Sequence, residues 1–170
     1  DGDTSTNDIV LVLANGRAGN AAIADPGVDF DAFTAALTSL CVELVRDVVS
    51  DGEGATRLLE VSVTGAPSAA IARDLARSIA ASSLVKAAIF GADPNGGRIL
   101  ATVGARAGSQ GFPVDPHRAV VAIQGVTVFA GEPVLADPPA LRAKMRAPAV
   151  RVEVALAAGE GSATAWGCDL

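Results

Sequence analysis

Ser50-Asp51-Gly52-Glu53-Gly54-Ala55-Thr56 is where one hydrophobic periodicity ends and another begins. Upstream, Phe30, Phe33, Leu37, Leu40, Cys41, Leu44, Val45 and Val48 recur at spacings of three and four, which predicts an amphipathic helix over 29–50. Asp29 is placed to cap that helix, and Asp31 puts negative charge in its first turn, where the helix dipole favours it. Downstream, Leu59, Val61 and Val63 alternate with Glu60, Ser62 and Thr64, the pattern of a half-buried strand. Between them Gly52 and Gly54 flank a single carboxylate, so the backbone can turn tightly and approach a ligand with no β-carbon in the way. The same residues also suit a helix stop followed by a solvated turn, since Gly is common just past a helix end. The C-terminal end of a helix is the negative end of its dipole and does not itself favour Glu53. A carboxylate held there suits a cationic partner, such as a substrate ammonium group.

The chain has 170 residues, enough for one domain with a real core. Half of it is apolar, but only 4% is aromatic and Tyr is absent, so the expected core packs small side chains closely. A net charge of −6 makes nucleic acid and anionic membrane surfaces poor partners. No apolar run approaches the roughly 20 residues that span a bilayer. The two cysteines, Cys41 and Cys168, lie far apart and read as small buried apolar residues of a reducing compartment. With one His and no CxxC, no metal site is expected.

In order, the polar opening at residues 1–8 suits compact side-chain-to-backbone turns or hydroxyls offered to a ligand. Ile9 to Ala14 is a continuous apolar run and is expected to be a strand buried on both faces. After the strand at 59–64, Pro67 suits the first position of a helix carrying Ile71, Leu75 and Ile79, which Ser82-Ser83 interrupts. Leu84 to Phe90 is expected as another strand, with Lys86 snorkelling to water at its end. Asn95 caps a helix with Ile99, Leu100 and Val103, and residues 105–117 read as a loop that leaves His117 on the surface. Gln124-Gly125 joins two short strands as a hairpin, Asp137-Pro138-Pro139 opens a helix through Met145, and strands close the chain at 150–156 and 162–168. Trp166 is expected in the core. Strands interspersed with helices make an α/β fold with a mixed sheet and packed helices.

Several blocks carry a resemblance in common order. They are Asp1 to Asp8, Arg46-Asp47, and Asp51-Gly52-Glu53-Gly54-Ala55-Thr56. Next come Ser83-Leu84-Val85-Lys86, Ala88-Ile89-Phe90-Gly91, Asp93-Pro94-Asn95 and Gly97-Arg98-Ile99. Ala163-Thr164-Ala165-Trp166-Gly167-Cys168-Asp169-Leu170 closes the set. Together they resemble the β chain of bacterial ornithine acetyltransferases, the bifunctional glutamate N-acetyltransferases of arginine biosynthesis. Where that family usually has Trp, this chain has Gly96.

The resemblance implies the ornithine acetyltransferase and DmpA-like fold. Residues 1–56 would be a remnant of the active-site domain, and residues 57–170 a C-terminal α/β domain incomplete at its C-terminus. It implies a precursor that cuts itself before a threonine, which then moves acetyl from N2-acetylornithine to glutamate through an acyl-enzyme. Acetyl-CoA is a further candidate donor, as a substrate rather than a bound cofactor. The nucleophilic Thr is expected upstream of Asp1; Thr4 and Thr6 belong to a different block. No catalytic residue is therefore expected in this chain, and Glu53 is the substrate-binding position that carries over, on the substrate's amino group. Expected partners are the α chain of the same precursor, N-acetylornithine, ornithine and glutamate, in a cytoplasmic homo-oligomer of αβ units. Two alternatives stand beside this reading: a non-catalytic structural or interaction module of the same fold, and an aminopeptidase-like hydrolase with an N-terminal nucleophile.

Overall fold

The computed structural model describes residues 6–134 and 137–169. The reading of the opening as turns or ligand hydroxyls falls outside these residues as far as Ser5, as does Leu170 at the end of the last motif. The chain forms two compact units, Gly2–Val45 and Arg46–Leu170, and the division falls within helix α1 (Val28–Ser50).

In the first unit the run Ile9 to Ala14 is not a strand. It has no regular structure and is exposed, with Val10 and Leu13 each 94% accessible. Branched apolar residues become a strand only when a neighbour completes the hydrogen-bond ladder, and no described strand pairs with this run. Helix α1 forms as its periodicity predicts, although Asp29 lies inside its first turn rather than at the cap, beside Asp31. No residue of α1 is buried, so the apolar stripe from Phe30 to Val48 is exposed, and so is Cys41, contrary to its expected burial.

The second unit is built on β1 (Leu58–Ala66), the strand next to the edge strand in a five-stranded sheet of order β3-β2-β4-β1-β5. β1 runs parallel to β4 (Ala149–Ala155) and antiparallel to β5 (Gly161–Cys168). β2 (Val120–Ile123) runs antiparallel to both β3 (Val126–Ala130) and β4, so the sheet is mixed. Leu59, Val61, Val63, Val150, Val152, Val154, Val121 and Ile123 point to one face and are buried. Helix α2 (Ala69–Ala81) packs across β1 and β5, and α4 (Gly96–Gln110) packs on α2 and β2. Leu75 and Ile79 of α2 are fully buried there, each burial worth about 1.5–3 kcal/mol.

The alternate residues of β1 face the other way. Glu60 stands opposite Arg151 on one side and Trp166 on the other. Trp166 Nε1 donates to Glu60 Oε2 at 2.9 Å, and Arg151 Nε lies 3.3 Å from Glu60 Oε1. Trp166 is thus half-buried on the open face rather than in the core, because its indole N–H needs an acceptor and Glu60 supplies it.

Three further expectations change. Ser68, not Pro67, opens α2: its hydroxyl accepts from Ile71 N at 3.3 Å, and Pro67 stands just outside. Leu84 to Phe90 is helix α3 (Ser83–Phe90), not a strand. Its buried residues are Val85, Ala88 and Ile89, spaced as on a helix, while Leu84 and Phe90 are exposed; Lys86 is half-buried on this helix. Ser82 ends α2 and caps α3 through Val85 N, so one serine makes the corner. Finally, α4 runs on to Gln110 before Gly111 stops it, which places 105–110 in a helix rather than a loop. The hairpin forms as expected: Gln124 and Gly125 have φ of 52° and 72°, the paired positive values of a type I′ turn. Asp137 caps α5 (Pro138–Lys144) through Ala140 N.

Candidate functional site

Helix α1 and strand β1 are joined by the two-glycine stretch, and its geometry follows from its residues. Asp51 N still donates to Asp47 O at 3.0 Å, the last full turn of helix. Ala55 N then donates to Gly52 O at 2.9 Å, closing a β-turn over Gly52-Glu53-Gly54-Ala55. Gly54 has a φ of 78°, the value the third position of a type II turn requires and a side chain resists. Gly52 packs closely for a different reason: a β-carbon there would lie 3.3 Å from Cys168 Sγ and 3.4 Å from Val49 O.

Glu53 is the second residue of this turn and is exposed. No hydrogen bond or ion pair from a described residue reaches its carboxylate. It is a negative charge on a defined backbone with its own side chain free to engage a ligand.

The two residues that follow the turn are held by Asp169, which the sequence reading passed over. It is 2% exposed and is the one charged residue buried among the described residues. Its Oδ1 accepts from Thr56 N at 2.7 Å and Arg57 N at 2.9 Å. Its Oδ2 accepts from the Thr56 hydroxyl and pairs with Arg57 Nη1 at 3.3 Å. Burial pushes the Asp169 carboxyl up, but the bonds from the Thr56 hydroxyl and the Thr56 and Arg57 amides together outweigh it and hold it below its ordinary value. Arg57 Nη1 also donates to Phe90 O at 2.9 Å and Ile89 O at 3.3 Å, the last carbonyls of α3. The signal was present in the sequence as an Asp at the end of an apolar strand, directly after Cys168. A strand-end carboxylate is ordinarily solvated, and nothing local told it from one that turns inward.

Other residues of the resemblance hold α3 and α4 together. Arg98 Nη1 donates to Leu84 O at 2.7 Å and ties α4 to α3. Asn95 caps α4 through Arg98 N and donates to Asp93 Oδ2, both at 3.3 Å. Gly96 beside them is buried, and a β-carbon there would lie 2.8 Å from Val128 Cγ2. His117 is exposed on a short 3-10 turn, as expected. No group of three or more metal-ligating side chains occurs among the described residues. No described helix is long and apolar enough to cross a membrane.

A family profile described as "ArgJ family" matches residues 1–170. The arginine biosynthesis bifunctional protein ArgJ of Symbiobacterium thermophilum is 47% identical over 171 residues, covering 100% of this chain and 42% of that protein. The protein of the same name from Deinococcus radiodurans is 46% identical over 170 residues, covering 100% of this chain and 41% of its own length. The crystal structure of arginine biosynthesis bifunctional protein ArgJ from Bacillus halodurans superposes with a TM-score of 0.90 at 40% identity, over 100% of this chain and 79% of that one. The chain therefore spans about two fifths of the length of these curated relatives.

Proposed function

This chain belongs to the ArgJ family, and on that premise we propose that it is the β-chain part of a self-processing acetyltransferase of arginine biosynthesis. The enzyme moves acetyl from N2-acetylornithine to glutamate. Residues 1–56 contribute to the active site and residues 57–170 form the supporting α/β domain. The nucleophile is a threonine outside this chain, freed by cleavage of the precursor and activated by its own amine. Its hydroxyl oxygen attacks the acetyl carbonyl, the C–N bond breaks as the departing nitrogen takes a proton, and ornithine leaves. The amine of glutamate then attacks the acetyl-threonine ester, the C–O bond breaks, and the proton returns to the threonine oxygen. Donors from the α chain stabilise the oxyanion in each half. Acetyl-CoA can load the same threonine as an alternative substrate. The αβ units associate further, in the cytoplasm.

The observation that carries this reading is Glu53, an exposed carboxylate with no partner among the described residues, presented by a type II turn between two glycines. Such a group holds a substrate ammonium by a charge-assisted hydrogen bond worth about 1.5–3 kcal/mol. Glu53→Gln keeps the shape and removes the charge. In the complete gene product, assayed with N-acetylornithine, it is expected to raise KM roughly 10–100-fold with kcat held, the signature of lost uniform binding. Unchanged KM and kcat would overturn the assignment, and a collapse of kcat alone would move Glu53 to the chemical step.

A further inference from the structure

We infer that Asp169 is a positioning residue for substrate binding, acting through Glu53. The inference rests on the reading of Glu53 given above and adds to it what holds that carboxylate in place.

With no described side chain or backbone group bonded to it, the Glu53 carboxylate takes its place from its turn alone. The turn has two flanks, and both rest on the same dipeptide. On the helix side, Gly52 sits against the Cys168 sulfur, so closely that a β-carbon would lie 3.3 Å from it. On the strand side, Thr56 and Arg57 are gripped by the Asp169 carboxylate through two backbone amides, a hydroxyl and a guanidinium. Asp169 N returns a bond to Arg57 O at 3.2 Å, so the grip is reciprocal. Arg57 carries it to the end of α3 through Ile89 O and Phe90 O. Three segments thus meet at one buried carboxylate: the end of β5, the end of α3 and the entry to β1. The Glu53 turn leaves directly from that point.

A strand-end carboxylate that served only to neutralise Arg57 would need one bond to it. Asp169 instead uses both oxygens on the two residues that follow the turn. Loosening it lets the turn shift, and a shift of the turn moves the charge that meets the substrate ammonium. Loss of Asp169 is therefore expected to weaken substrate binding rather than the chemical step.

A double-mutant cycle in the complete gene product tests this, with Asp169→Asn, Glu53→Gln, both together, and steady-state kinetics on N-acetylornithine. Asp169→Asn alone is expected to raise KM roughly 5–10-fold with kcat within about twofold, and to add less than about twofold once Glu53 is Gln. Equal effects in both backgrounds would overturn the inference. They would mean that Asp169 acts independently, through its own charge or through general stability. A fall in melting temperature with KM unchanged would overturn it too. If Glu53→Gln alone leaves KM unchanged, the assignment of Glu53 fails; a KM rise from Asp169→Asn in that case overturns the inference separately, by routing Asp169 through another group. Thr56→Val removes the hydroxyl, which donates to Asp169 and accepts from Arg57 Nη1 at 3.2 Å, and leaves the two backbone amides on the carboxylate. Should Asp169→Asn not fold, the same cycle with Thr56→Val decides, where a rise of roughly 2–4-fold that vanishes beside Glu53→Gln supports the inference and an additive rise overturns it.

Discussion

Asp169 holds fewer protons in the folded chain than in the unfolded one. Its carboxyl lies below the ordinary value of 3.8: burial alone would raise it, and the bonds from Thr56 and Arg57 outweigh that. A depressed folded value contributes stability that is fully present above the unfolded value and is lost as pH falls through the folded one. The gap in melting temperature between wild type and Asp169→Asn is accordingly expected to hold steady from about pH 7 to pH 5 and to close below about pH 4. A gap as wide at pH 3 as at pH 7 would remove the charge from the account. At neutral pH, Asp169→Ala leaves Arg57 without its counter-charge, and urea unfolding should show a loss of about 3–5 kcal/mol. The turn that carries Glu53 was legible in the sequence because two glycines bracket that residue. Asp169 was not, since its partners Thr56 and Arg57 lie more than a hundred residues away, and only the pairing of β5 with β1 brings them together.

Elements were legible where period and punctuation agreed, as in α1, β1, α2 and the Gln124-Gly125 hairpin. They were misread where composition spoke alone. Leu84 to Phe90 and Ile9 to Ala14 are both apolar runs, yet one is helix and the other has no regular structure. What decides is the neighbour: Ser82 starts a helix by capping it, and no described strand offers a ladder to the other run. The first turn of α4 offers a test at this scale. A β-carbon on Gly96 meets Val128 Cγ2 at 2.8 Å, and a β-branched residue has few rotamers to move into. Gly96→Ala is expected to cost about 1–3 kcal/mol by overpacking, although Ala suits a helix better by up to ~1 kcal/mol. In a Val128→Ala background the same change should become neutral or stabilising by thermal melts. A penalty that persists there would place the constraint in the backbone instead. The same contact bears on the Trp that the family resemblance leads one to expect at this position: it has no room while Val128 stands where it does.

The molecule as a whole is a fold whose class was readable and whose surfaces were not. Alternation on β1 and β4 announced a sheet with one buried face, and the helices supply the cover. Exposure of α1 was not foreseeable, because an amphipathic period states which face seeks burial and not whether burial is met. Purified residues 1–170 are expected to show no transfer from N-acetylornithine to glutamate, since the proposed nucleophile lies elsewhere; turnover above background would place the catalytic group within this chain. The same preparation is expected to associate at micromolar concentration, given exposed Phe30, Phe33, Leu37, Leu40 and Leu44. A monomer by light scattering would count against it. The sheet order has a consequence in time. β1 is made well before both of its neighbours, β4 and β5, which come from residues 149–168. Helices α2, α3 and α4 close over short distances and can form on the ribosome, whereas β1 waits for nearly the whole described chain to be synthesised. The carboxylate that grips Thr56 arrives after all of these elements. In pulse-labelled refolding, where the whole chain is present from the start, the amides of Thr56 and Arg57 are still expected to gain protection after those of α2, because their bonds to Asp169 span 113 and 112 residues. The apparatus that would present Glu53 to a substrate is then assembled only once the sheet is finished, and a half-made chain has no half-made site.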